Sequence, residues 1–84
     1  MKHTDKPTVH YINEPRTLKQ LQKLVGGYIE VYHMEDGRQL VINEEGKMMN
    51  LQHNQTATDL LPNNFYNDTV VGDAVVLSGE GLLD

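Results

Sequence analysis

The chain has 84 residues, no cysteine, and 12 Asp+Glu against 7 Lys+Arg, a formal net charge of −5 with the four histidines neutral. A chain of this size supports one domain with one modest core. The missing thiols exclude disulfides, thiolate zinc sites, iron–sulfur clusters and cysteine nucleophiles. No apolar run approaches the roughly 20 residues of a membrane-spanning helix, and the opening MKHTDKPT carries no apolar signal segment, so the expectation is a soluble, cytoplasmic protein. Duplex DNA binding needs clustered Lys and Arg, whereas here they are scattered singly, which argues against direct contact with nucleic acid.

Residues 1–7 are polar and end in Pro7, which predicts a flexible N-terminal tail. Residues 8–13 (TVHYIN) are β-branched and aromatic with period-two character and read as a strand, broken by Glu14, Pro15 and Arg16. Thr17 and Gln20 have capping-box spacing, so a helix starts there. Leu18, Leu21, Leu24 and Val25 form one apolar stripe, and Gly26-Gly27 supplies a left-handed C-cap. Residues 28–33 and 38–43 flank Met34-Glu35-Asp36-Gly37, whose Asp-Gly is a hairpin signal.

Ile29 and Val31 share one face of the first hairpin strand, and Leu40 and Ile42 share one face of the second. The two sets meet only across a loop of two or four residues; a regular three-residue loop separates them unless a bulge compensates. We therefore expect Ile29, Val31, Leu40 and Ile42 to point into the core together, leaving Tyr28, Glu30, Tyr32, Gln39, Val41 and Asn43 on the opposite face. Residues 43–47 (NEEGK) read as a second turn with Gly46 at positive φ. Met48, Met49 and Leu51 form either a short strand or a plug in the core. Thr56, followed by Asp59, suggests a short helix stopped by Pro62, and the asparagines near Phe65 and Tyr66 mark a polar loop. Residues 69–77 (TVVGDAVVL) are apolar on both parities, as in a strand covered on both sides, with Gly72 at a bulge or close backbone contact. Residues 78–84 read as a flexible C-terminal tail, leaving 8–77 as the single domain.

The order strand, helix, strand, strand, short helix, strand predicts an α+β fold: a small, mainly antiparallel sheet with one principal helix packed on a face. It matches a ferredoxin-like arrangement formally, and a small sheet or partial barrel equally well.

Chemistry is sparse. His3, His10, His33 and His53 lack any spacing that puts two imidazoles on one face of one element; His10 and His33 meet only if their strands are neighbours. Ser78 is the only serine and lies outside a nucleophile elbow. The pairs Glu35-Asp36 and Glu44-Glu45 sit in turns, where nothing desolvates them to raise a pKa. We read no enzyme, no metal and no cofactor. The remaining feature is the outward hairpin face, with Tyr28 and Tyr32 as amphipathic anchors around Glu30; a subsidiary core beneath the second helix or C-terminal segment is the competing reading of that face.

The segments LQKLVGGYIE (21–30), Asp36-Gly37, NEEGK (43–47), LPN (61–63) and VGDAVV (71–76) together resemble a small domain of unknown function found in bacteria, phages and plasmids. The resemblance implies a compact protein of mobile-element origin and carries no activity with it. Accessory proteins of this kind bind a host or phage protein, sometimes by presenting carboxylates to a basic nucleic-acid channel. The expected function is therefore a non-catalytic interaction protein that binds, and inhibits or redirects, such a partner in the bacterial cytoplasm. Tyr28, Glu30, Tyr32, Glu35, Asp36, Asn43, Glu44 and Glu45 are its candidate residues. The alternative is a homo-oligomer enclosing a nucleotide-like ligand, with backbone donors at Gly26 and Gly27, a stacking ring at Tyr28, and Asn43.

Overall fold

A computed structural model describes residues 6–62 and 68–84. The elements run β1 (Val9–Ile12), α1 (Leu18–Val25), β2 (Ile29–His33), β3 (Gln39–Asn43), α2 (Gln55–Thr58) and β4 (Ala74–Leu77), followed by a 3-10 turn at Gly79–Gly81. The fold is α+β. The strands form one mixed sheet in the order β1-β4-β3-β2, with β1 parallel to β4 and the other two pairings antiparallel. A ferredoxin-like sheet places its first strand inside; here β1 lies at an edge and β4 takes the inner position.

Local signals in the sequence account for α1. Thr17 Oγ1 accepts the Gln20 N–H at 3.1 Å and Gln20 Oε1 accepts the Thr17 N–H at 2.9 Å, closing the capping box. Gly26 ends the helix in the left-handed region. The helix lays Leu21 and Val25 on Val41, Val75 and Leu77, with Ile29 and Val31 packed alongside. The opposite face of the sheet carries a second cluster, Leu40, Ile42, Ala74 and Val76, covered by Ala57 of α2 and by Val70, with Tyr32, Met34, Leu60 and Leu61 against it. All of β3 and β4 is buried, as the double-parity apolar pattern of residues 69–77 requires, although the strand itself spans only Ala74–Leu77.

The hairpin register overturns one expectation. Ile29 pairs with Asn43, Val31 with Val41 and Tyr32 with Leu40, so Ile29 and Val31 face α1 while Leu40 and Ile42 face α2. The loop has three residues. Met34 donates to the Arg38 carbonyl at 2.8 Å, Gly37 donates to the Met34 carbonyl at 3.1 Å, and Gly37 has φ +92, a turn that needs a left-handed residue at its third position. Leu40 and Ile42 are buried beneath α2 and Ile29 and Val31 are half-buried beside α1, because both faces of the sheet are covered.

Other departures share one cause, which is packing that local spacing does not reveal. Gly46 does not take positive φ; it is glycine because a Cβ would lie 2.8 Å from Val71 Cγ2. Met48 and Met49 are exposed rather than plugging the core. Asn54, not Thr56, caps α2, accepting the Ala57 N–H at 3.0 Å. The same buried amide donates to the Thr8 carbonyl (3.1 Å) and the Gly72 carbonyl (2.8 Å), joining three segments distant in sequence. The C-terminal segment is docked: Gln39 donates to the Leu83 carbonyl at 2.9 Å and accepts the Leu83 N–H at 2.7 Å. Residues 1–5 of the tail expected over 1–7, and the loop around Phe65 and Tyr66, lie outside the described residues.

Removing a buried amide that satisfies several backbone groups leaves them desolvated and unpaired. Asn54→Ala is therefore expected to lower the unfolding free energy by about 2–4 kcal/mol, against about 1 kcal/mol for loss of the exposed cap in Thr17→Ala. Urea unfolding followed by circular dichroism measures both; equal costs would contradict the role given to Asn54.

Candidate functional site

The eight residues nominated from sequence do not form one surface. Antiparallel pairing carries the Tyr28–Glu44 end of the hairpin and the Glu35–Asp36 turn to opposite ends of β2, roughly 17 Å apart at about 3.4 Å per residue.

At the first end, the Tyr28 carbonyl accepts the Glu44 N–H at 2.8 Å. Residues 44–50 then wind through consecutive turns, in which Met49 donates to Glu45 (3.0 Å), Asn50 to Lys47 (3.1 Å) and Leu51 to Gly46 (3.0 Å). This winding turns the two methionines outward. Tyr28 is 65% exposed, Met48 82% and Met49 50%, and Glu44 and Glu45 are exposed beside them. Asn43 is the anchor beneath. It is 4% exposed, donates to the Val25 carbonyl at 3.1 Å and to Met49 Sδ at 3.6 Å, and accepts the Glu45 N–H at 2.8 Å. Its amide therefore holds the end of α1 to the turn and is unavailable to a partner. Gly27 makes room for it, since a Cβ there would lie 3.0 Å from Asn43 Nδ2.

In the middle of β2, Glu30 and Tyr32 are half-buried on the α2 face. They line a cleft of about 290 Å³ with Ile42, Met48 and the Lys47–Asp68 ion pair, which closes at 2.8 Å. Burial pushes the Tyr32 phenol up to about 12, and the negative charges of Glu30 and Asp68 add to the shift. The hydrogen bond from Lys47 holds Asp68 below the ordinary carboxylate range. At the far end Asp36 accepts the Arg38 N–H at 3.1 Å and pairs with its guanidinium at 2.8 Å; these bonds lower its pKa.

Tyr28, Glu44 and Glu45 thus lie at one end of the hairpin, Glu44 also lines the cleft that holds Glu30 and Tyr32, Glu35 and Asp36 stand apart, and Asn43 is interior. Tyr28 and Tyr32 do not make the common tyrosine face expected from the sequence. Met48 and Met49 were missed as surface residues. The one available signal was their position among turn residues without strand or helix periodicity.

The donors proposed for an enclosed ligand are already committed, because the Gly26 and Gly27 N–H groups both donate to the Gln22 carbonyl, at 2.8 and 3.0 Å. Since β1 and β2 occupy opposite edges, His10 and His33 do not meet. Among the described residues no group of three His, Asp or Glu side chains converges to hold a metal ion. No described helix is long and apolar enough to cross a membrane.

The sequence profile of a family described as a domain of unknown function, DUF3846, matches residues 1–82. No curated protein and no solved structure gives a match.

Because the folded-state pKa of Tyr32 lies above its unfolded value near 10, its contribution to stability is complete below pH 10 and is lost as the pH rises from 10 through about 12. Ultraviolet titration should show a late phenol ionisation that is absent in Tyr32→Phe and moves to lower pH in Glu30→Gln. A titration unchanged by Tyr32→Phe would refute the assignment.

Proposed function

The chain belongs to the DUF3846 family, and from the surface just described we propose a non-catalytic interaction protein that binds a protein partner through Tyr28, Met48 and Met49. Glu44 and Glu45 select a partner with a basic surface. The observation that carries this reading is the exposure of three large apolar side chains at one end of the hairpin, beside two carboxylates with no ion-pair partner among the described residues.

Tyrosine supplies rigid amphipathic area suited to a binding hot spot, and methionine adapts its shape to an opposing surface. The two carboxylates, on a chain of net charge −5, steer a basic partner and raise the association rate more than the final affinity. A nucleic-acid-binding host or phage protein has such a basic face, and covering it inhibits or redirects that protein. The mobile-element character implied by the sequence resemblance supports this choice of partner, and with it a bacterial cytoplasmic setting.

The test is affinity capture from bacterial lysate with the full chain, followed by binding measurements on the recovered partner across a salt series. Tyr28→Ala and Met48→Ser are each expected to weaken binding by about tenfold, the equivalent of about 1.4 kcal/mol. The double change Glu44→Gln/Glu45→Gln should slow association and flatten the salt dependence. Glu80→Gln, at the exposed 3-10 turn, should leave both unchanged. Recovery of no partner, or equal loss from all of these substitutions, would reject the proposal.

A further inference from the structure

The sheet has two edges, β1 and β2, and they are built differently. β1 has four residues, is bracketed by Pro7 and Pro15, and is crossed at its C-terminal end by the 3-10 turn, where a Cβ on Gly81 would lie 3.0 Å from the Ile12 and Glu14 carbonyls. Prolines and covering loops are ordinary ways of closing an edge to further pairing. β2 has five residues with no proline, no lysine, no bulge, and Glu30 as its one carboxylate, and among the described residues no strand or turn pairs along its outer edge.

The direction of the β2 backbone groups follows from its register. The Tyr28 carbonyl accepts the Glu44 N–H and the Met34 N–H donates to the Arg38 carbonyl. Alternation along an antiparallel ladder then turns the groups of Glu30 and Tyr32 toward β3 as well, and those of Ile29, Val31 and His33 outward. Among the described residues these three N–H and C=O pairs have no ladder partner. They are symmetric about Val31.

We infer that β2 pairs antiparallel with β2 of a second copy of this chain, about a two-fold axis through Val31, joining two four-stranded sheets into one continuous sheet. In that register Val31 bonds Val31 and Ile29 bonds His33 in both directions, so every outward main-chain group is used. A two-fold axis demands such a self-complementary patch. Side chains agree with the same register. On the α1 face the half-buried Ile29 and Val31 gain cover. On the other face Glu30 stands opposite Tyr32 of the second copy, whereas moving the axis by one residue to Glu30 would set carboxylate against carboxylate, which is unfavourable. The pairing rests on the β2 main chain and not on the role given to Tyr28, Met48 and Met49, although Met48 shares a cleft with Glu30 and Tyr32.

Sedimentation equilibrium of the full wild-type chain over a concentration series is expected to show a mass of twice the 9.5 kDa chain, and Val31→Pro, which removes an outward N–H without touching a bond to β3, is expected to be monomeric. The register is read by cross-linking, since the chain has no cysteine of its own. Opposed non-hydrogen-bonded positions have Cα atoms about 4.5 Å apart, within disulfide reach, while diagonal positions lie about 7–8 Å apart. Glu30→Cys chains mixed with Tyr32→Cys chains should therefore give at least ten times more disulfide-linked dimer than Glu30→Cys chains alone. A wild-type monomer at every concentration, a folded Val31→Pro variant that still dimerises, or equal cross-linking in the two samples overturns the inference.

Discussion

The burial of β3 on both faces is the constraint from which the rest of this structure follows. Its five residues are all buried, with an eight-residue helix on one side and the four-residue α2 with its flanking loops on the other. Two short covers leave little apolar area, and the strand ends in amides, Gln39 and Asn43, that must be satisfied where they are buried. Gln39 meets this requirement by binding both main-chain groups of Leu83. Asn43 does so by binding the last turn of α1 and the first turn after the strand. Together with Asn54, these amides join loops to sheet in places where the apolar clusters alone provide no directional bond, and such polar bonds specify one arrangement more sharply than apolar contact does.

The turn after β3 depends on the same constraint. With its amide turned inward, Asn43 helps set the path of residues 44–50, along which Met48 and Met49 are exposed. A side chain nominated for recognition is thus a support of that turn. Filling both faces of β3 and β4 also uses most of the chain's apolar side chains, so the two outer strands receive less cover. β2 is half-buried from Ile29 to Tyr32 and exposed at His33.

The elements themselves were legible because each rests on contacts between residues close in sequence. The Thr17/Gln20 capping box, the left-handed Gly26, the Asp36-Gly37 turn and the double-parity apolar run ending in Leu77 all appear where local chemistry puts them. The failures arise where local chemistry allows two outcomes or where partners lie far apart in the chain. Asp-Gly fits both a two-residue loop and the three-residue loop found here, and the choice flips every side chain of one strand. Both outcomes bury apolar residues when both faces are covered, so hydrophobic pattern had no power to decide. Asn54 outcompeted Thr56 as a cap because Thr8 and Gly72 bring it further acceptors.

What the sequence by itself determined is the number, order and type of the elements, together with an acidic, thiol-free composition, because propensity, capping and turn chemistry act over a few residues. The tertiary structure alone decided the strand order that separates β1 from β2, the hairpin register, the docking of the C-terminal segment on Gln39, and the exposure of Met48 and Met49. These depend on which distant surfaces compete for the same buried area and on which buried amide finds its acceptor, and neither quantity is carried by any short stretch of the chain.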